Sequence, residues 1–244
     1  MSSVATRTGQ VIFLNGTSSS GKSAIAAQLL LVLDRPFFHM AVDAINGMRA
    51  REHTLGLEPG ELAAVLARTR AGFHRAVAGM AQAGNDIVVD YVLSERWRLL
   101  DCLTVLDGLD VVFVGVRCSE QELARREEAR GDRQPGQAAA QFRQVHSYGR
   151  YDIECDTTTA TPRDCALTIK QSLDQLPEPR AFERLRSALQ DLPEPTYGRR
   201  SDRTAAELGV RPLHGPAFAV RLPPSGDRGR RDRVGAYGGR GGAG

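Results

Sequence analysis

The sequence predicts an α/β fold, with a doubly wound, five-stranded parallel sheet and a C-terminal extension. Five short apolar runs alternate with helical stretches along the first 176 residues. Apolar strands separated by helices imply a parallel sheet that helices cover on both faces. A glycine- and serine-rich loop directly follows the first run, and the composition changes after residue 176. These three observations define one α/β domain that is followed by extra segments.

The predicted strands are rich in apolar and β-branched residues and are bounded by turn-forming residues. They cover residues 11–14, 37–42, 86–89, 110–116 and 151–155. Helices are predicted at residues 23–33, 59–82 with a break near Gly72, 95–106, 119–130, 136–146 and 161–176. The last of these helices has a proline in its first turn, where the missing N–H would have no partner anyway.

Residues 16–23 read Gly-Thr-Ser-Ser-Ser-Gly-Lys-Ser and match the phosphate-binding pattern G-x-x-x-x-G-K-[ST] between a predicted strand and a predicted helix. The glycines let the backbone turn so that successive N–H groups point at phosphate oxygens near the positive end of the helix dipole. Lys22 is predicted to contact the β- and γ-phosphates of ATP, and the Ser23 hydroxyl to bind Mg²⁺. The predicted nucleotide-binding residues are Gly16, Thr17, Ser18, Ser19, Ser20, Gly21, Lys22, Ser23 and Ala24. The sheet is therefore expected to be of the P-loop NTPase or kinase type.

The chain contains thirty arginines and only two lysines, Lys22 and Lys170. One of the two thus occupies the loop position that needs a compact charge on a flexible stem, whereas arginine presents a planar fork. The alternative interpretation of residues 16–23 is a Ser/Gly turn that binds no ligand.

Polar residues follow the predicted strands at the end where parallel α/β sheets bind ligands. Asp43 follows the second strand, Asp90 ends the third, and Arg117 follows the fourth. Two carboxylates beside a triphosphate suit proton removal by Asp43 as a general base and the ordering of a Mg²⁺-bound water by Asp90. Arg117 is assigned to the substrate side of the site. Each of these residues can also mark nothing more than a strand that leaves the core.

Residues 125–133 read Arg-Arg-Glu-Glu-Ala-Arg-Gly-Asp-Arg and close a predicted helix. Arg130 and Arg133 flank a Gly-Asp turn, a shape that suits a mobile lid over phosphates. There both would act as catalytic residues by neutralising charge on the transferred phosphoryl group. The alternative is a solvated helix face whose acidic residues pair with the neighbouring arginines.

The composition divides the chain into three parts. Residues 1–178 form the predicted P-loop kinase domain, with the lid near 125–136. Residues 179–195 form an amphipathic helical extension between two Leu-Pro-Glu-Pro motifs, which either packs on the core or pairs with a partner. Residues 196–244 form an Arg/Gly-rich tail that cannot bury enough surface to offset its ordering entropy, so we expect it to be disordered.

Charge and composition limit the classes of partner. The formal net charge is +3, but the ten arginines and four acidic residues of the tail contribute +6, which leaves the rest near −3. Basicity therefore gives little support for a nucleic-acid partner. No apolar run has the length of a membrane span, and the first residues lack a secretory signal. The four cysteines have no metal-ligand spacing, which indicates reduced residues in a cytoplasmic protein.

Six motifs occur in order along residues 9–176. They include Leu-Asn-Gly-Thr-Ser-Ser-Ser-Gly-Lys-Ser at 14–23, Val-Asp at 42–43 and 89–90, Val-Gly-Val-Arg-Cys at 114–118, Glu-Ala-Arg-Gly-Asp-Arg at 128–133, and the run 145–157. Together they resemble the chloramphenicol phosphotransferases, which are P-loop kinases that transfer the γ-phosphoryl group of ATP to an antibiotic hydroxyl. The resemblance implies that Asp43 takes the general-base position of that family and that Arg130 and Arg133 lie in its lid.

The chain departs from that family in the segments that should wall the acceptor pocket. The family typically has two adjacent acidic residues at the end of the third strand, whereas this chain has Asp90-Tyr91. Residues 44–75 and 92–97 align poorly with the corresponding segments of the resistance enzyme of that family and look shorter than them. The acceptor is therefore either chloramphenicol or a related hydroxylated antibiotic, or a metabolite such as a nucleoside or a sugar. The oligomeric state stays open.

A function of a different class is a nucleotide-binding regulatory or RNA-associated protein. In that alternative the P-loop acts as a switch and the Arg/Gly-rich tail contacts RNA. Such a switch does not require a carboxylate at the position of Asp43, and the kinase interpretation does.

Overall fold

The β-branched and aromatic runs of the sequence form five strands in the computed structural model, which describes residues 7–130, 141–142 and 144–189. The strands are β1 (Gln10–Asn15), β2 (Phe37–Ala41), β3 (Asp86–Tyr91), β4 (Asp110–Arg117) and β5 (Ile153–Asp156). All neighbouring pairs are parallel, in the order β2-β3-β1-β4-β5. Strands β3 and β2 lie on one side of the central strand β1, and β4 and β5 lie on the other. The predicted doubly wound parallel sheet is therefore confirmed.

Eight α-helices have described bounds. They are α1 (Lys22–Val32), α2 (Val42–Gly47), α3 (Arg51–Leu55), α4 (Pro59–Gln82), α5 (Arg96–Val105), α6 (Glu120–Arg130), α7 (Pro162–Ser172) and α8 (Ala181–Ala188), with a 3-10 turn at Leu173–Gln175. The sequence does not predict the short helices α2 and α3. The predicted helix 136–146 lies largely outside the described residues. None of the helices in the described ranges combines the length and the apolar character that crossing a membrane requires.

Helix α4 corrects one prediction, because it runs without interruption through 24 residues and has no break at Gly72. Pro59 lies in its first turn, and the side chains of Glu58 and Glu61 form a reciprocal capping box. A glycine costs a helix about 1 kcal/mol relative to alanine. Burial of Phe73 and its apolar neighbours on the same helix outweighs that cost.

The strands alternate their side chains between two hydrophobic cores, one on each face of the sheet. Val11 and Phe13 of β1 belong to the core beneath α4, α5 and α8. Ile12 and Leu14 belong to the core beneath α1 and α7. The central strand is therefore buried on both faces, as its continuous apolar sequence predicts.

The two edge strands are different, and for them the predicted burial on both faces is wrong. Phe38 of β2 is 49% exposed. In β5 only the alternate residues Ile153 and Cys155 are buried. An edge strand has a neighbour on one side only, and an apolar composition does not reveal the order of the strands.

Helix α8 lies in the predicted amphipathic segment 179–195 and packs on the core of the α/β domain, where Phe182 is 2% exposed. Asp152 fixes the start of the helix, because its carboxylate accepts a hydrogen bond from Ala181 N at 2.6 Å. The segment thus completes one of the two cores. The predicted tail 196–244 lies outside the described residues.

The register of β1, β2 and β3 brings the candidate site residues to one edge of the sheet. Asp90 of β3 lies between Leu14 of β1 and Ala41 of β2. The glycine- and serine-rich loop begins directly after β1, and Asp43 lies two residues after Ala41. The loop and both carboxylates therefore meet at the carboxyl ends of three adjacent strands.

Candidate active site

The loop after β1 curls because its glycines permit a close approach and a left-handed turn. A Cβ at Gly16 would lie 2.5 Å from the carbonyl oxygen of Val116, so only glycine fits there. Gly21 has a φ of +90°, in the region that favours glycine. Ser19 also has a positive φ of +61°, which is costly for a residue with a side chain. Such a curled backbone forms an anion-binding nest of N–H groups.

The predicted loop residues are buried around Lys22. Thr17, Ser18, Ser19 and Ser20 each expose 7% or less of their surface. Lys22 is 6% exposed, and its Nζ donates to the carbonyl oxygen of Thr17 at 2.6 Å. The buried Ser19 Oγ has no hydrogen-bond partner within the described ranges. A buried hydroxyl of this kind beside a buried ammonium suits an oxygen-rich anion.

Ser23 and Asp90 form a hydrogen bond at the start of α1. Ser23 Oγ donates to Asp90 Oδ2 at 2.5 Å, and Asp90 is 9% exposed. His39 Nε2 lies 4.0 Å from the same carboxylate oxygen. The next residue, Ala24, is exposed in the first turn of the helix. The structure thus brings together the hydroxyl and the carboxylate assigned to Mg²⁺, and both are the hard oxygen donors that this ion prefers.

Thr157 and Arg126, to which the sequence pattern assigns no role, support the loop from outside. Thr157 Oγ1 lies 2.8 Å from the carbonyl oxygen of Ser20 and 3.1 Å from that of Arg117. Arg126 Nη2 donates to the Thr157 carbonyl oxygen at 2.7 Å, and its Nη1 lies 3.4 Å from that of Ser19. Helix α6 and the end of β5 are therefore tied to the loop backbone.

Replacing Thr157 with valine is expected to weaken nucleotide binding about 5-fold, because the buried Ser20 carbonyl loses a neutral hydrogen bond worth about 1 kcal/mol. Isothermal titration of AMPPNP measures the change. Thr158→Val is the matched control, since the exposed Thr158 side chain hydrogen-bonds Ser119 N and Asp156, which both lie outside the loop. Equal affinities of the Thr157→Val variant and the natural protein would show that the loop needs no support from Thr157.

Asp43 lies in the first turn of α2 and not at the end of a strand, because β2 stops at Ala41, one residue before the predicted end. A carboxylate is favourable there, at the positive end of the helix dipole. The residue is exposed. Burial and the charge of Arg98 lower the pKa of Arg70 on α4, and the negative charge of Asp43 partly opposes that shift, which indicates that the Asp43 and Arg70 side chains lie near each other. Asp43 therefore borders the space between α2 and α4.

A buried chain of three side chains lies at the end of β3, where Tyr91 follows Asp90. Tyr91 Oη lies 2.9 Å from His74 Nε2, and His74 Nδ1 lies 2.6 Å from Asp101 Oδ2. Burial lowers the pKa of His74, so the neutral ring donates to Asp101 and accepts from Tyr91. Burial also raises the pKa of Tyr91, which keeps the phenol protonated. Tyr91 thus adds an uncharged side chain, held by hydrogen bonds, to the wall at the end of β3.

Arg98 of α5 fixes the loop that follows β3. Its Nη1 donates to the Val92 carbonyl oxygen at 3.1 Å and to Ser94 Oγ at 3.0 Å, and its Nη2 pairs with Glu95. Trp97 Nε1 donates to Glu95 Oε2 at 2.6 Å. Arg98 is 7% exposed. This buried guanidinium therefore sets the shape of one wall beside the carboxyl end of β3.

Two of the three predicted arginines lie within the described residues. Arg117 is at the end of β4, where its Nε donates to Glu154 Oε2 at 2.7 Å. That hydrogen bond raises the pKa of Arg117 and commits the side chain to a partner on β5. Arg130 is the last residue of α6. Arg133 lies outside the described residues.

Asn15, the last residue of β1, joins three segments next to the loop. Its Nδ2 donates to the Val145 carbonyl oxygen and to Tyr151 Oη, both at 2.9 Å. Its Oδ1 accepts from Leu93 N at 2.9 Å. Tyr151 Oη also lies 2.7 Å from His146 Nδ1. One buried amide therefore holds the loop after β3 and the segment before β5 against β1.

The contribution of His146 to stability is expected to decline as the pH falls from about 6.5 to about 4. Burial lowers the pKa of His146 to about 4, whereas the pKa of an unperturbed imidazole is about 6.5. The folded state thus favours the neutral ring, so its contribution is complete above the unfolded pKa and is lost towards the folded one. Urea denaturation of the natural protein and of His146→Gln at several pH values measures the difference in free energy of unfolding. A difference that does not change with pH would contradict the assignment.

Comparison with known proteins agrees with this geometry. The family model described as chloramphenicol phosphotransferase-like protein matches residues 9–174. Two proteins of Mycobacterium tuberculosis, from strains CDC 1551 and H37Rv, carry names that mark them as predicted O-phosphotransferases. Each is 32% identical to the chain in an alignment of 201 residues, and the match covers 73% of this chain and 88% of the relative.

Solved structures share the fold at low sequence identity. The APS kinase of Mycobacterium tuberculosis, in complex with AMPPNP and APS, is 17% identical with a TM-score of 0.51, over 68% of this chain and 98% of its own. The tunicamycin resistance protein of Deinococcus radiodurans is 18% identical with a TM-score of 0.51, over 70% of this chain and 100% of its own. The sheet and its helices are those of P-loop kinases.

The matched span runs from the residue before β1 into the 3-10 turn after α7, and it contains the loop, both carboxylates and the supports described above. Both curated relatives match 73% of the chain at 32% identity. The chain therefore belongs to the chloramphenicol phosphotransferase-like family and is a phosphotransferase of the kinase type.

Proposed function

We propose that this kinase transfers the γ-phosphoryl group of ATP, bound with Mg²⁺, to a hydroxyl group of a small molecule. The observation that supports the proposal most directly is the 2.5 Å hydrogen bond from Ser23 Oγ to Asp90 Oδ2 beside the buried Lys22. It groups an ammonium, a hydroxyl and a carboxylate at the start of α1. P-loop enzymes use this set of groups on a metal-bound triphosphate.

The residues present fit both ATP and Mg²⁺. The curled loop and the unpartnered Ser19 Oγ suit phosphate oxygens. Ser23 and Asp90 offer two oxygen ligands for the metal. The described residues contain no group of three or more His, Cys, Asp or Glu side chains suited to a metal ion, so water and phosphate oxygens would complete the shell. Bound Mg²⁺ would neutralise part of the charge on the β- and γ-phosphates.

The side chains of the loop and of α2 divide the remaining work. Asp43 would accept the proton of the acceptor hydroxyl as that oxygen attacks. Lys22 Nζ would give up its hydrogen bond to the Thr17 carbonyl oxygen and bind phosphate oxygens instead. It would then stabilise the negative charge that develops on those oxygens. Asp90 would hold the Ser23 hydroxyl and order a metal-bound water.

The lid near 125–136 would supply the arginines. Position 130 lies one turn after Arg126 on α6, so both positions share a helix face. Arg126 already lies 3.4 Å from the Ser19 carbonyl oxygen of the loop. This placement supports a role for Arg130, and the family resemblance supports one for Arg133, in neutralising the transferred group and in excluding water.

Residues 1–178 would thus act as the kinase domain, with a hydroxylated small molecule as acceptor. The family supports chloramphenicol or a related antibiotic, and a nucleoside or a sugar would use the same parts. A cytoplasmic location would supply ATP and keep the four buried, free cysteines reduced. Arg117 would support the site indirectly, because its side chain is hydrogen-bonded to Glu154.

A screen of hydroxylated antibiotics and metabolites for stimulated ATP consumption tests the proposal, with Lys22→Ala as the blank. We expect at least one compound to raise ADP release in the natural protein only, and its phosphorylated product to appear by mass spectrometry. ATP consumption that is the same in the blank, or that never depends on a hydroxyl compound, would overturn the proposal.

A further inference from the structure

We infer that the acceptor of this kinase carries an anionic oxygen group, a carboxylate or a phosphate, which Arg70 binds while a hydroxyl of the same molecule faces Asp43. The inference rests on the proposed phosphoryl transfer, because it names the class of acceptor for that same site. It favours hydroxy acids and phosphate esters over uncharged antibiotics.

The position of Arg70 follows from the helix that carries it. Arg70 and His74 are one turn apart on α4 and therefore lie on the same face. His74 Nε2 lies 2.9 Å from Tyr91 Oη, and Tyr91 follows Asp90 on β3. Arg70 thus belongs to the wall at the carboxyl end of β3, where the acceptor must approach the phosphoryl group.

A second guanidinium is fixed in the same wall. Arg98 cannot swing away, because its hydrogen bonds to Val92, Ser94 and Glu95 use both terminal nitrogens. The pKa of Arg70 is lowered mainly by burial and secondly by the positive charge of Arg98. The negative charges of Glu95 and Asp43 oppose this lowering of the Arg70 pKa and offset it only in part.

Arg70 has unused hydrogen-bonding capacity in this crowded place. Its side chain is half-buried, yet it makes no hydrogen bond to any residue in the described ranges. Arg98 adds a buried Nε that also lacks a described partner. A buried donor such as Arg98 Nε is costly without an acceptor, and the like charges of Arg70 and Arg98 in one wall add to that cost. An anionic oxygen group on the ligand would offset the two like charges and would accept from Arg70, since a guanidinium binds such a group through two parallel hydrogen bonds.

The neighbouring carboxylates do not fill this role. Glu95 is occupied by Arg98 and by Trp97 Nε1. Asp43 loses its negative charge when it accepts the hydroxyl proton, so it cannot balance Arg70 through the reaction. An anion on the acceptor keeps the wall neutral at that moment. The walls formed by α2 and α4 would then hold the hydroxyl and the anion of one molecule.

Fluorescence of the single tryptophan, Trp97, tests the inference without turnover. Its ring centroid lies 5.9 Å from Arg98 Cζ, so the emission reports on this wall. The protein is first saturated with AMPPNP and Mg²⁺, which keeps the probes out of the phosphate-binding loop. The probes are matched pairs, D-gluconate with D-glucitol for the carboxylate and ribose 5-phosphate with ribose for the phosphate. We expect the anionic member of at least one pair to bind at least about 10-fold more tightly.

Two variants separate a specific role of Arg70 from a structural one. Arg70→Gln is expected to weaken the preferred anionic probe about 10- to 100-fold and to leave its uncharged partner unchanged. Arg68→Gln, at an exposed position of the same helix, is the matched control and should change neither. Because a like charge is removed, Arg70→Gln should not lower the Tm.

The same pairs are then assayed for phosphorylation with ATP, so that the two proposals fail separately. Anionic probes that bind through Arg70 but are never phosphorylated would support the inference and count against phosphoryl transfer. Uncharged compounds phosphorylated as efficiently as their anionic partners, by the natural protein and Arg70→Gln alike, would overturn the inference and leave phosphoryl transfer intact. If neither anionic probe binds better than its partner, the inference is wrong.

Discussion

Replacing Lys22 with arginine is expected to lower kcat by about 10²- to 10³-fold, although the positive charge is kept. The Lys22 side chain is 6% exposed, and its Nζ lies 2.6 Å from the Thr17 carbonyl oxygen inside the loop. A guanidinium is planar and wider than an ammonium, so it cannot occupy that space without displacing the loop backbone. The charge would then lie outside the position where it meets the transferred phosphoryl group. Steady-state kinetics with the acceptor found in the screen measure the loss.

The chain supplies its own control for this experiment in Lys170, its second lysine. Lys170 Nζ donates to the Val32 carbonyl oxygen at 2.7 Å and pairs with Asp34, and the side chain is 32% exposed. An arginine can make the same contacts at the surface, so Lys170→Arg should leave kcat unchanged. If Lys22→Arg kept more than about a tenth of the activity, the charge alone would suffice and the shape argument would fail.

The loop and the sheet could be predicted because their signals are local. Gly16 and Lys22 act through the backbone of their own eight-residue pattern, and each inner strand is an apolar run in the sequence. The helices α2 and α3 could not be predicted in this way. They contain six and five residues and bury none of them, so they leave no periodic apolar pattern to detect.

Two site carboxylates could be predicted and most of their supports could not. Asp90 lies near the end of β3 and Asp43 lies two residues after the end of β2, and the ligand side of a parallel sheet is known before its strand order. Asn15 instead bonds Val145, 130 positions away, and Thr157 supports a carbonyl 137 positions away. No short pattern encodes such contacts. Similarly, Arg70 has the features of a surface residue until α4 and β3 are placed side by side.

Replacing Asp43 with asparagine is expected to lower kcat by about 10²- to 10⁴-fold, because the amide cannot accept the proton of the acceptor hydroxyl. The affinity for ATP should stay the same, since Asp43 is an exposed residue of α2 and the loop is held by other groups. Steady-state kinetics give kcat, and titration of AMPPNP gives the nucleotide affinity. Glu52→Gln is the matched control, because Glu52 is an exposed acid in the first turn of the neighbouring helix α3. It should change neither quantity.

The contrast with Asp90→Asn decides which carboxylate is the base. Asp90 is 9% exposed and already accepts from Ser23 Oγ at 2.5 Å, so its oxygens are committed to the hydroxyl and the metal side of the site. Its replacement should raise the Mg²⁺ concentration needed for half-maximal rate and the KM for ATP. Asp43→Asn should leave both unchanged and lose kcat alone. The reverse pattern, with Asp43→Asn near the natural rate and Asp90→Asn inactive at saturating Mg²⁺, would assign the proton transfer to Asp90.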